Sequence, residues 1–213
     1  MRKPSAKIAT TEEQKKPGIL LHHKKTDQVH LSLGVRAFNM FDQRKYALQL
    51  MSVMLGGNMS SRLFISVRER NGLGYYVHTN YESSTDTGFL VTQAGIKSDA
   101  LEKAIELILH EYKDLRDNKI TEKELQKAKD YIRGATSLSL DATDAQASFY
   151  ATQEVMGEEV MTPEQKLTLI EKVTVDDIQK IAQEIFVNEK LNLAVIGPFQ
   201  ESEKTKLEKI LIL

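Results

Sequence analysis

The chain has 213 residues, no cysteine, and a net charge of -1 from 29 basic and 30 acidic side chains. Its length supports a full hydrophobic core without staples, and the lack of cysteine excludes a disulfide framework, thiolate metal ligands and a cysteine nucleophile. The balanced charge provides no field to hold nucleic acid. No apolar run approaches the roughly 20 residues needed to span a bilayer, so neither a membrane nor a nucleic acid is an expected partner, and the composition fits a cytoplasmic chain.

Met1 to Lys16 is polar, charged and aperiodic, which reads as a linker, with one domain expected over residues 17–213. A domain beginning near Pro17 suggests that something precedes it. Apolar and polar residues alternate from Gly18 to about Lys24 and again from Gln28 to Ala37, the pattern of two half-buried strands, most simply neighbours in one sheet. After Asp42 the period changes. Tyr46, Leu48, Leu50, Met51, Val53, Met54 and Leu55 form a broad apolar helix that should be deeply buried and should stop at Gly56 and Gly57.

A second helix is expected from about Ser60 to Arg70, with Leu63, Phe64 and Val67 inward and Asn71-Gly72 as a left-handed stop. Tyr75 to Tyr81 and Gly88 to Ile96 read as strands joined by a polar loop. Ser98 is placed to cap the next helix, which carries Leu101, Ala104, Ile105, Ile108, Tyr112 and Leu115 on one stripe. Thr121 with Glu124 forms a capping-box signature, and Thr162-Pro163 with Gln165 marks another helix start, as does Thr174. Leu191 to Ile196 is a short strand closed by Gly197-Pro198, and a last amphipathic helix covers Ser202 to Leu211. Strands at both ends with helices between predict an α+β fold: a single mixed, largely antiparallel sheet that recruits the last strand and carries its helices on one face.

The chemistry-bearing residues are sparse. His22, His23, His30, His78 and His110 include no i, i+4 pair with an intervening glutamate, so no zincin helix is present. His78 and Glu82 lie on one strand too far apart to share a metal, and His22, His23 and His30 are better read as solvent-facing than as ligands. Nucleophile-elbow and phosphate-loop motifs are absent, and Gly72-Leu73-Gly74 lacks the third glycine of a dinucleotide loop. The carboxylates, among them Glu122, Glu124, Asp141, Asp144, Glu154, Glu158 and Glu159, read mostly as solvated helix faces.

The segment Leu55 to Val77, LGGNMSSRLFISVRERNGLGYYV, is harder to dismiss. It places Arg68 near a helix end and Tyr75 early in a strand, a cation and a phenol suited to gripping peptide carbonyls or stabilising an oxyanion. Spacing alone favours the plainer reading, in which Arg68 pairs with a surface acid and Tyr75 is a core ring.

The string Leu55-Gly56-Gly57-Asn58-Met59-Ser60-Ser61-Arg62-Leu63-Phe64, with Arg68-Glu69 and Gly72-Leu73-Gly74-Tyr75 after it and Asp27-Gln28-Val29-His30 before it, resembles the M16 (pitrilysin/insulinase-like) metallopeptidases, specifically their zinc-free C-terminal domain. The resemblance covers nearly everything from Pro17 onward. It implies the fold of that family and a site shared between two domains, the first contributing zinc on an H-x-x-E-H helix. The second contributes an arginine and a tyrosine that match Arg68 and Tyr75 as substrate-binding residues, Tyr75 also supporting the oxyanion. It implies no catalytic residue and no metal in this chain. Zinc is expected in a partner N-terminal M16 domain, on the same or a separate chain, with peptide as substrate and a homo- or heterodimer as a compatible assembly. The chain would then be the non-catalytic half of a zinc metalloendopeptidase. The alternative is a non-catalytic or structural subunit of an M16-type complex. Met1 to Lys16 would be the remnant of a connector between halves.

Overall fold

A computed structural model of the chain describes residues 10–213. Of the expected linker, residues 1–9 lie outside the described residues. Residues 10–17 form no regular element. The side chain of Gln14 donates to the carbonyl oxygens of Lys16 and Leu191, both at 2.9 Å.

Five strands form one sheet: β1 (Gly18–His23), β2 (Gln28–Ala37), β3 (Gly74–Ser83), β4 (Gly88–Lys97) and β5 (Leu191–Gly197). Their order is β1-β5-β2-β4-β3, and only the β1–β5 pairing is parallel. The expected mixed, largely antiparallel sheet is therefore present. The expected pairing of β1 with β2 is not, because β5 lies between them. Burial explains the order: Leu191, Leu193 and Val195 of β5 are buried, whereas β1 is largely half-exposed or exposed. A strand sunk in the core needs both backbone edges paired, and a more exposed strand tolerates the edge position.

Helices α1 (Lys45–Gly56), α2 (Leu101–Asp117) and α6 (Val175–Ile185) pack against the same face of the sheet. Around them lie α3 (Glu122–Ser139), α4 (Thr143–Met156), α5 (Pro163–Glu171) and α7 (Lys204–Ile210). The core is built from alternate strand positions such as Val29, Leu31, Leu33 and Val35, against Leu48, Met51 and Leu55 of α1 and Ile105 and Ile108 of α2. Burial of each such side chain contributes about 1.5–3 kcal/mol. One polar thread crosses this core. The hydroxyls of Thr79 and Thr92 are 2.8 Å apart, Thr92 is 2.8 Å from the Tyr112 hydroxyl, and Tyr112 donates to the Leu33 carbonyl at 3.1 Å. Every member has a partner, so the thread costs no desolvated orphan.

Several helix ends differ from expectation. The first helix is as deeply buried as its composition suggests, but it does not end in a left-handed cap: Gly57 has φ -80°. Its glycines serve close approach instead. A Cβ on Gly56 would stand 2.4 Å from the Thr79 amide nitrogen of β3. Ser98 does not cap α2 through its side chain, because Ser98–Ala100 forms a single 3-10 turn ahead of it. Thr162 and Thr174 both form reciprocal capping boxes, with Gln165 and Asp177. Thr121 caps α3 by accepting from the Glu124 amide, but the Glu124 carboxylate turns away to an arginine described below.

Candidate functional site

The segment after α1 opens with a turn in which Asn58 Oδ1 accepts from the Ser60 amide. It then enters a helix that differs from the expected one: Phe64–Arg70 is a seven-residue π-helix. Such wide turns occur mostly as local insertions and often at functional positions. Ser66 and Val67 are buried while Arg68, Glu69 and Arg70 are exposed, so the helix sends its charged end outward. Asn71 Nδ2 donates to the Ser66 carbonyl at 2.7 Å, and Gly72 has φ +59°, the left-handed stop expected from Asn71-Gly72. The amides of Gly72 and Leu73 then donate to the carbonyls of Arg68 and Val67, each at 3.1 Å. These bonds join the end of the π-helix to the start of β3 in a fixed turn.

Two arginines on this segment have opposite surroundings. Arg62 is an anchor: its Nε is 2.6 Å from Glu124 Oε1, Nη2 is 2.9 Å from Glu124 Oε2, and Nη1 reaches Asp114 and, at 3.7 Å, Glu111. Burial alone would lower its pKa, but the hydrogen bonds and charges of Glu124 and Asp114 outweigh that and raise it. Burial dominates for Glu111 and raises its pKa. Arg68 is different. Its guanidinium carbon lies 5.0 Å from the Phe64 ring centroid, and among the described residues no carboxylate is within ion-pair distance. The plainer reading of Arg68 as a surface ion pair does not hold.

Tyr75 is not a core ring either, being 63% exposed. It sits at a β-bulge. Gly74 pairs with Ile96 and Tyr76 with Gly95, leaving Tyr75 as an extra residue without a partner on β4. Bulges re-aim side chains at sheet edges, and β3 is one of the two edge strands of this sheet. Arg68 and Tyr75 are thus both solvent-facing and joined through one short turn, although no hydrogen bond links their side chains among the described residues.

The sheet face opposite the helices carries His22, His30 and His78. His30 Nδ1 is 2.9 Å from the Tyr76 hydroxyl, the rings of Tyr76 and His78 stack at 5.4 Å, and His78 Nε2 is 2.9 Å from Gln93 Oε1. His22 and His30 are each paired with Ile196, so a whole strand separates them. A groove of about 470 Å³ on this face is lined by Leu20, Ser32, Arg36, Phe89, Val91 and Ala194 among others, and neither Arg68 nor Tyr75 borders it.

Glu158 departs from the expected solvated role. It pairs with Lys45 and Lys166 and has only 14% of its side chain exposed. Burial, with the Glu158 charge, pushes the neighbouring Tyr81 up to about 12. No group of three His, Asp or Glu side chains among the described residues is arranged to hold a metal. No helix among the described residues is long and apolar enough to cross a membrane.

The single mixed five-stranded sheet with its helices packed on one face defines an α+β domain. The chain belongs to the M16 peptidase family: residues 2–132 match the family model for the peptidase M16 inactive domain. It is 30% identical over 184 residues to an uncharacterized zinc protease of Streptomyces coelicolor, covering 86% of this chain and 40% of that protein. It is 32% identical over 179 residues to an uncharacterized zinc protease of Bacillus subtilis, covering 84% and 44% respectively. A solved protease from Helicobacter pylori shares the fold, with a TM-score of 0.81 at 20% identity, over 92% of this chain and 48% of that one. The chain thus spans less than half the length of each.

Proposed function

We propose that this domain holds extended peptide for a zinc metalloendopeptidase whose metal lies in a separate, N-terminal M16 domain, with Arg68 and Tyr75 as the grip. The observation that carries this is the state of Arg68: a guanidinium with no carboxylate partner among the described residues, at the end of a π-helix tied by backbone bonds to the Gly72-Leu73 turn that leads into the bulge bearing Tyr75. An uncompensated guanidinium offers several donors to peptide carbonyls, and a phenol offers one more to an oxygen that gains charge during acyl transfer. Edge strand β3 supports the same reading. A backbone edge with no strand beyond it accepts an extended peptide by strand addition, tolerantly of sequence. The part assigned to this chain is binding and orientation, and the bond-breaking chemistry belongs to the other domain.

Reconstitution tests the assignment. This chain and a zinc-bearing M16 domain, each inactive alone on a fluorogenic extended peptide, are expected to hydrolyse it when combined. A zinc-bearing domain that turns the peptide over equally fast without this chain would remove the substrate-holding role. A well-formed but inert complex would leave a structural subunit as the better description.

A further inference from the structure

We infer that His30 and Tyr76 are positioning residues for Tyr75, an inference that rests on the proposed substrate grip. His30 of β2 is paired with Gly95 of β4, and Gly95 is paired in turn with Tyr76 of β3. His30 and Tyr76 are therefore separated by a whole strand, yet His30 Nδ1 and the Tyr76 hydroxyl are 2.9 Å apart. The tyrosine spans β4 because the residue beneath it has no side chain. A Cβ on Gly95 would stand 2.4 Å from Tyr76 Cε1 and 2.5 Å from Gln28 Nε2. The ring is steadied on its other side by the stack with His78, which Gln93 holds in turn.

The result is a strap from the edge strand to the central strand β2, fastened at the residue directly after the bulge. Before the bulge the chain is fixed by close approach, since a Cβ on Gly74 would lie 2.9 Å from the Gly95 carbonyl oxygen. Tyr75 is unpaired and exposed between these two fixed points. An edge strand is hydrogen-bonded along one side only, so it is a place from which a sheet can open locally. A hydroxyl bond that spans two inter-strand spacings, roughly 9–10 Å, counteracts that opening at the one place where the bulge directs the proposed substrate contact. Neither His30 nor Tyr76 need touch the peptide for this role.

The test is a double-mutant cycle in the assembly of this chain with a zinc-bearing M16 domain, using Tyr76→Phe, His30→Ala and Tyr75→Phe. Tyr76→Phe removes a single oxygen and leaves the ring in place. A misplacement of about 1 Å costs on the order of a hundredfold in rate, so Tyr76→Phe and His30→Ala are each expected to lower kcat by about tenfold or more. Neither should lower it further in the Tyr75→Phe background, since residues acting through one group are not additive. His30→Gln, which keeps a hydrogen-bonding side chain, should restore part of the loss. Losses that multiply with Tyr75→Phe, or unchanged kcat in Tyr76→Phe and His30→Ala, would overturn the inference. A fluorine resonance from 3-fluorotyrosine at position 75 supplies a readout independent of turnover. It should broaden or split in Tyr76→Phe, and a single unchanged line would overturn the strap even if the grip itself stands. Wild-type turnover in Tyr75→Phe alone would instead overturn the grip.

Discussion

Arg62 and Arg68 lie six positions apart on one segment and have opposite surroundings. Arg62 turns inward to three carboxylates on α2 and α3, with 18% of its side chain exposed. Arg68 turns outward with no acid among the described residues within reach. The geometry of the turn between them decides the outcome: the π-helix widens after Leu63, buries Ser66 and Val67, and leaves the next three residues in solvent. An arginine whose charge is compensated inside the domain stabilises that domain. One left uncompensated at the exposed end of the π-helix adds no such stabilisation, and under the proposed function it is the one that meets the peptide.

The sharpest way to break this contrast is to remove the anchor. Arg62→Ala strands Glu111, Glu124 and Asp114 beside one another, and should destabilise the domain by about 2–4 kcal/mol, below the ceiling for a fully buried pair because Asp114 remains 36% exposed. Urea unfolding measures it, and a loss under about 0.5 kcal/mol, typical of surface positions, would contradict the anchoring role.

A smaller effect is expected from acid at the helix caps. Hydrogen bonds from Thr174 lower the pKa of Asp177, and those from Arg44 lower that of Asp42. A depressed folded-state pKa means that the unfolded chain binds protons first as pH falls. The stabilisation is then complete above the ordinary aspartate value of about 3.9 and is lost as pH drops through the lower folded values. Melting temperature should accordingly fall below about pH 4, and less steeply in Asp177→Asn. An equal slope in wild type and Asp177→Asn would rule out this source.

The sequence shows its folding signals unevenly. Alternation in β2, the apolar breadth of α1, the capping boxes at Thr162 and Thr174 and the left-handed Gly72 are local, and each forms as local chemistry predicts. Insertion of β5 between β1 and β2 is not local. It depends on which strand is buried deeply enough to need two paired edges, which periodicity within β1 and β2 cannot reveal. Glu124 shows the same limit. The capping-box pattern marks it correctly as the third helical residue, but a distant arginine outcompetes the local backbone amide for its carboxylate. At the site, the residue types at Arg68 and Tyr75 were legible, chiefly through the resemblance to the M16 peptidases. Their freedom from the plainer roles was not, because the π-helix and the bulge at Tyr75 leave no periodic trace. The strap from His30 to Tyr76 had one faint signal, a glycine at position 95 in an otherwise strand-forming run, but its meaning depends on the register.

The measurement that bears most directly on the account pairs turnover with stability in Arg68→Ala. In the assembly with a zinc-bearing M16 domain, peptide hydrolysis should fall by a factor corresponding to about 2.7–4 kcal/mol, the loss associated with removing one transition-state donor. Unfolding free energy should stay within about 0.5 kcal/mol of wild type, as for a surface side chain without partners. Unchanged hydrolysis would contradict the grip, and a large loss of stability would contradict the separation of Arg68 from the anchoring network around Arg62.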